Sequence, residues 1–170
     1  MRLLKPATLL ALTLATPIVA APAPKIAATS FAQLKTPLPL PYNEAANARA
    51  QIAAARARAK AGHKLLLVDL GGNWCLDCRI LAGTMDLPAL HSFLARHYEI
   101  VTVDVGRFDK NMDIAAHYGL DGHFGGGVPS VLIIDPRTDT LRNAGRTAAL
   151  ADARTLTPQA LADWLAQWTR

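Results

Sequence analysis

The chain of 170 residues contains two cysteines, Cys75 and Cys78, which stand three positions apart. A compact apolar run, Lys64–Leu70, precedes them, and its length and flanking glycines are typical of a buried strand. The residues from Arg79 to Gly83 then have the pattern of a helix. The sequence therefore predicts that both thiols lie where a strand gives way to the N-terminus of a helix.

This placement suits redox chemistry. Free N–H groups and the helix dipole stabilise an anion at a helix N-terminus, so the pKa of the Cys75 thiol should fall below the usual value of about 8.5. The Cys75 thiolate would attack a disulfide, and Cys78, one turn further along, would resolve the mixed disulfide.

Two other interpretations of the cysteine pair are weaker. Zinc needs about four ligands, so two would have to come from scattered histidines. A purely structural disulfide would close a loop too short to stabilise the fold strongly. A redox pair is therefore favoured, and we expect neither a metal nor an organic cofactor.

The N-terminus has the layout of a secretory signal. Basic Arg2 and Lys5 precede an apolar run that ends near Val19, and small residues follow. We expect residues 1–20 to be a signal peptide, with the mature protein starting near Ala21. No other stretch approaches about 20 unbroken apolar residues. The expected location is the periplasm of a bacterium, without stable membrane insertion after cleavage.

The formal net charge of +5 includes the two basic residues of this leader. The densest basic run, Arg49–Lys60, is diluted with alanine and lacks interleaved aromatic residues, which is typical of a solvated helix face. We therefore expect no nucleic-acid partner.

The rest of the chain divides into a proline-rich arm or linker, residues 21–42, and one folded domain, residues 43–170. Strand and helix patterns alternate along the domain, which indicates an α/β fold. The predicted elements are a helix over Asn43–Ala61, a strand over Lys64–Leu70, helices over Arg79–Gly83 and Ala89–His97, a strand over Glu99–Val105, a helix over Asn111–Tyr118, strands over Ser130–Ile134 and Leu141–Gly145, and a helix over Pro158–Trp168 capped by Thr157.

Four ordered motifs make residues 62–169 resemble the thioredoxin family. Leu67–Leu70 matches the strand before its Trp-Cys-x-x-Cys motif and places Asp69 six residues before the first cysteine. Tyr118–Leu120, Val128–Ser130 and Gly145 match later segments of that family in the same order.

This resemblance implies a thioredoxin-like α/β fold, with a central mixed sheet of about four strands flanked by helices; the N-terminal helix would be an addition. It also implies the catalytic residues Cys75, Cys78 and Asp69. In the family the aspartate lies buried behind the second cysteine and assists its deprotonation, and burial should raise the pKa of Asp69.

The expected substrate-binding residues are Trp74, Leu76, Asp77, Val128 and Pro129. Pro129 should follow a cis bond and so place the backbone of Val128 for pairing with a substrate strand. Trp74 would shape the docking surface, although a simple core aromatic is an alternative.

Leu76 and Asp77 stand where thioredoxins usually have Gly-Pro. The charge of Asp77 should disfavour a nearby thiolate and make the couple more reducing, with Arg79 as a partial offset. A second departure is the loop Gly122–Gly127, where Phe124 or His123 is a candidate lid over the site.

Together these features predict a periplasmic thiol-disulfide oxidoreductase that reduces protein disulfides. The resemblance implies a membrane-embedded thiol relay as its electron donor. A disulfide oxidase or isomerase is one alternative, and a non-catalytic module that binds extended peptides or acts as a chaperone is another.

Overall fold

The computed structural model describes residues 20–169. Within that range the chain forms five α-helices and four strands: α1 (Ala48–Ala61), β1 (Leu65–Gly71), α2 (Leu76–Met85), α3 (Pro88–His97), β2 (Tyr98–Asp104), α4 (Met112–His117), β3 (Ser130–Asp135), β4 (Thr140–Leu141) and α5 (Pro158–Ala166). Short 3-10 helices span Phe31–Gln33 and Ala153–Thr155. The expected signal peptide lies outside the described residues, apart from its last residue, Ala20.

The strands form one sheet in the order β2-β1-β3-β4. Strand β1 pairs in parallel with β2 and antiparallel with β3, and β3 pairs antiparallel with β4. The expected mixed sheet of four strands flanked by helices is therefore confirmed. Its central strand, β1, leads directly to the cysteines.

Alternate side chains of β1 pack into two different core layers. Leu67 joins the core formed with α2, α3 and α5, whereas Leu66 and Val68 join the core formed with α1 and α4. Each fully buried leucine contributes about 1.5–3 kcal/mol. Because side chains alternate along a strand, Asp69 points to the same side of the sheet as Leu67.

Capping residues set the helix ends. Helix α1 begins at Ala48, five residues later than predicted at Asn43, because the Asn47 side chain accepts the free N–H of Ala50 at 3.0 Å. Pro88, which has no N–H to satisfy, is the first residue of α3. Thr157 caps α5 as expected, accepting a hydrogen bond from Ala160 N at 3.1 Å.

The predicted fourth strand, Leu141–Gly145, is shorter than expected. Strand pairing stops at Leu141, and beyond it the buried side chain of Asn143 forms hydrogen bonds to the backbone of β3. Its amide accepts from Ile133 N at 2.9 Å and donates to Val131 O at 2.7 Å. A side chain thus completes hydrogen bonds that a longer strand would have made.

The proline-rich arm is fastened to the domain at several points. Leu34 is buried in the core beside α2 and α3. Ile26 N donates to the Gln159 side chain at 2.8 Å, and the Arg79 guanidinium donates to two arm carbonyls at 3.0 and 3.2 Å. These contacts bring the end of the arm to the cysteine-bearing side of β1.

Candidate active site

The cysteine pair lies at the junction of β1 and α2. Cys75 and Cys78 form a disulfide with Cα atoms 5.3 Å apart. Cys75 is the N-cap residue of α2, and its Sγ accepts a hydrogen bond from Cys78 N at 3.1 Å. Once the pair is reduced, the same N–H and the helix dipole stabilise a thiolate on Cys75.

The two sulfurs differ in accessibility. Cys75 is 6% exposed, whereas Cys78 is fully enclosed at 0%. A reacting partner can therefore reach only the first sulfur. The expected order, in which Cys75 attacks and Cys78 resolves, is consistent with this difference.

The residues directly before and after Cys75 in the chain are large, apolar and exposed. Trp74 and Leu76 are 43% and 44% exposed, which is unusual for such large apolar residues. The indole N–H of Trp74 donates to Gly106 O at 2.7 Å, and the guanidinium of Arg107 lies 4.7 Å from the ring centroid. Trp74 is therefore an exposed side chain, fixed by these two contacts next to Cys75 in the chain, rather than a core aromatic.

The segment before β3 contacts the disulfide from the other side. The Val128–Pro129 peptide bond is cis, as expected from the sequence. The carbonyl oxygen of Val128 lies 3.5 Å from Cys75 Sγ. Val128 and the cis bond before Pro129 thus lie next to the Cys75 sulfur, and their role in substrate binding stays a prediction.

Asp69 lies in the protein interior with no solvent exposure. Its Oδ2 accepts a hydrogen bond from the Tyr42 hydroxyl at 3.0 Å, and its Oδ1 has no partner among the described residues. Burial raises the pKa of Asp69 to about 7, although the Tyr42 hydrogen bond lowers it. The carboxyl group therefore exchanges its proton near neutral pH, as a proton acceptor for a thiol should.

Sequence reasoning did not single out Tyr42, because it lies at the end of the arm. The structure places its phenol beside the resolving sulfur as well as beside Asp69. A Cβ added at Gly71 would lie 2.8 Å from Cys78 Sγ and 2.7 Å from Tyr42 Cζ, so both groups crowd the same point. A tyrosine after a run of prolines carries no sequence signal for such a position.

The environment of Asp77 differs from the one expected. Its carboxylate forms an ion pair with the Arg154 guanidinium, and Oδ1 also accepts from Arg154 N at 2.9 Å. Arg79, the expected offset, instead binds the arm carbonyls. Burial raises the pKa of Asp77, but the hydrogen bonds and charge of Arg154 outweigh it, so this pKa lies below its ordinary value. The negative charge beside the sulfurs is therefore compensated.

The glycine-rich loop does not carry the lid that the sequence suggested at Phe124. This ring is fully buried and packs on Phe108, with centroids 5.6 Å apart. Gly125, Gly126 and Gly127 all have positive φ values, of 78°, 141° and 119°, which only glycine adopts easily. The loop is thus folded around an anchored aromatic ring.

Between residues 20 and 169, no three His, Cys, Asp or Glu side chains lie close enough to hold a metal ion. No helix in the same range is long and apolar enough to cross a membrane.

Comparison with known proteins agrees with this geometry. A family model described as thioredoxin-like matches residues 47–136. The crystal structure of a disulphide isomerase from Xylella fastidiosa Temecula1 superposes with a TM-score of 0.71 and is 34% identical, covering 78% of this chain and 99% of its own. No curated protein matches. The chain belongs to the thioredoxin-like family and is an oxidoreductase whose active-site disulfide joins Cys75 and Cys78.

Proposed function

We propose that the chain reduces disulfide bonds in other proteins in the periplasm. The observation that carries this proposal is the asymmetry of the cysteine pair. Cys75 is the reachable cysteine and lies at a helix N-terminus, whereas Cys78 is enclosed, and its sulfur and the Tyr42 phenol that binds Asp69 crowd the same point above Gly71. Such a pair can attack a foreign disulfide and then release its product by itself.

The reaction begins with the reduced pair. The Cys75 thiolate attacks one sulfur of the substrate disulfide, a mixed disulfide forms, and the other substrate sulfur leaves as a thiolate. The Cys78 thiol then gives its proton to the carboxylate of Asp69 and attacks the Cys75 sulfur. The second substrate thiolate leaves, so the substrate gains two electrons and the Cys75–Cys78 disulfide reforms.

The substrate is an extended protein segment. Trp74 and Leu76 offer exposed apolar surface beside Cys75, and the Val128 backbone lies next to its sulfur. An extended segment can therefore bind across Pro129 by backbone pairing and apolar contact. Asp77, the other residue between the two cysteines, is itself buried and paired with Arg154. Neither a metal nor an organic cofactor takes part in these steps.

Continued turnover requires a source of electrons. We propose that residues 1–20 export the protein and that a membrane-embedded thiol relay reduces the disulfide again. The leader pattern and the resemblance to exported thioredoxin-like reductases support both parts. Secreted protein from a cell that lacks the relay should accumulate in the disulfide form.

Isomerisation is a second candidate, because a 34% identical relative is described as a disulphide isomerase. An isomerase uses the same Cys75 attack, but a thiol of the substrate, rather than Cys78, completes the exchange. The uncompensated charge of Asp77 was the reason to expect a more reducing couple, and Arg154 compensates that charge.

Trapping of the mixed disulfide tests the proposal. With a disulfide-containing test protein, reduced Cys78→Ser should form a stable covalent adduct, and Cys75→Ser should form none. The wild-type protein should convert the test protein to free thiols while oxidising itself in equal amount. If the disulfides of the test protein are rearranged without net production of thiols, isomerisation is favoured instead.

The non-catalytic alternative makes the opposite prediction. If Cys75→Ser still binds extended peptides and protects an unfolded protein from aggregation as well as wild type, while wild type reduces no test disulfide, the oxidoreductase proposal fails.

A further inference from the structure

The end of the arm is built into the active site through Tyr42. Its side chain is buried, at 2% exposure, and its hydroxyl donates to Asp69 Oδ2 at 3.0 Å. The Asn73 amide holds the Tyr42 backbone at both ends, accepting from its N–H at 3.1 Å and donating to its carbonyl at 2.8 Å. The phenol is thus fixed from the turn that precedes Cys75.

The carboxyl group of Asp69 has one satisfied oxygen and one free oxygen. Oδ2 is bound by Tyr42, while Oδ1 is buried without a partner among the described residues. Next to Asp69, the neighbouring strands contribute Thr102 and Val131, neither of which titrates. The free oxygen is therefore available to accept a proton from a neighbouring thiol.

Few charged or titratable groups face this carboxyl. The arm contributes Tyr42, and α2 contributes Cys78, whose Sγ shares the crowded point above Gly71 with the phenol. Strand β2 contributes Asp104 at its end, whose charge acts on Tyr42. Tyr42 is the hydrogen-bond donor that the structure gives to Asp69.

We propose that Tyr42 is a positioning residue for Asp69, holding Oδ2 so that Oδ1 accepts the proton of Cys78 when the mixed disulfide is released. This inference rests on the proposed function for its role in catalysis, although the hydrogen bond itself can be tested separately. The arm thereby contributes directly to the resolving step.

The chemistry of the pair supports this role. Burial, and then the charge of Asp69, raise the pKa of Tyr42 well above its ordinary value, so the phenol stays a donor at every working pH. A donor on Oδ2 favours the ionised carboxyl group, and its loss should raise the pKa of Asp69 further above about 7. Less carboxylate would then be ready to take the Cys78 proton at neutral pH.

The first test is Tyr42→Phe, which keeps the ring and removes only the hydroxyl. Carbon-13 NMR of the Asp69 carboxyl in the oxidised protein should show its midpoint moving up by about one pH unit. Tyr98→Phe is the matched control, because Tyr98 is equally buried at 2% and its hydroxyl donates elsewhere, to Leu165 O at 2.7 Å. The control should leave the Asp69 midpoint unchanged.

The second test measures release of a glutathione mixed disulfide on Cys75 by Cys78. Tyr42→Phe should slow release about tenfold at pH 6 and hardly at all at pH 9, since only the carboxylate fraction changes. In an Asp69→Asn background the same substitution should add no further slowing.

The outcomes separate the two proposals. An unchanged Asp69 midpoint in Tyr42→Phe, or equal slowing at pH 6 and pH 9, overturns the role of Tyr42. Because the NMR titration uses oxidised protein without substrate, it remains decisive even if the protein reduces no protein disulfide.

Discussion

Replacing Asp69 with asparagine should make the stability of the oxidised protein less dependent on pH. The carboxyl is fully buried, and its pKa is raised from the ordinary value of 3.8 to about 7. A tenfold difference in proton affinity corresponds to about 1.4 kcal/mol, so ionised Asp69 should cost the folded state about 4 kcal/mol.

The direction of this pH dependence follows from the pH at which Asp69 loses its proton in the folded and in the unfolded state. In the unfolded chain Asp69 ionises near pH 4, but in the folded protein it keeps its proton until about pH 7. Between these values the unfolded state binds fewer protons, so the free energy of unfolding falls as pH rises. Below pH 4 the cost is absent, and above pH 7 it is fully present.

The assay is urea denaturation of oxidised wild type and Asp69→Asn from pH 4 to pH 8. Between pH 4 and pH 8, the free energy of unfolding of wild type should fall by about 4 kcal/mol relative to that of Asp69→Asn. Any constant cost of the buried amide cancels, and the disulfide keeps the thiols from titrating. A shift under about 1 kcal/mol would refute a buried carboxyl titrating near neutrality.

Three further variants test other parts of the site. Arg154→Met should lower the reduction potential by about 10 to 30 mV, because Asp77 loses its compensating charge. Asp77→Asn should not lower the potential. Titration in dithiothreitol buffers measures both variants, and equal shifts in potential would contradict this role of Arg154. Gly71→Ala should destabilise the fold by about 1–3 kcal/mol in urea denaturation, since a Cβ there meets the phenol of Tyr42. Phe124→Ala should cost about 3–5 kcal/mol in the same assay, while an exposed lid residue would cost almost nothing.

The order of elements and the position of the cysteines could be predicted from the sequence because they depend on local patterns. A buried apolar run, a helix start and two cysteines between them lie within fifteen residues, Lys64–Cys78. The burial of Asp69 is implied by the resemblance to the thioredoxin family, and the structure has it fully buried. These features do not require knowledge of distant contacts.

The partners of the charged residues could not be predicted in this way. Tyr42 reaches Asp69 across 27 positions, and Arg154 reaches Asp77 across 77. Sequence reasoning paired Asp77 with Arg79 because that residue is near in the chain, but the helix directs Arg79 to the arm. Contacts made by tertiary packing leave no local pattern.

The glycine-rich loop shows a related limit. Three glycines in a row indicate unusual backbone conformations, and the structure has them. They do not reveal that the neighbouring Phe124 faces inward. The carbonyl of that residue accepts from the hydroxyls of Ser130 and Thr147 at 3.4 and 3.3 Å, which holds the loop in place.

The equilibrium reduction potential of the Cys75–Cys78 pair shows whether the protein can reduce disulfides in other proteins. Purified protein without the leader would be titrated in dithiothreitol or glutathione buffers, with the fraction of free thiol as the readout. We predict one reversible two-electron transition near the thioredoxin value of about −270 mV. A potential near −120 mV, or a pair that never forms a reversible disulfide, would contradict it.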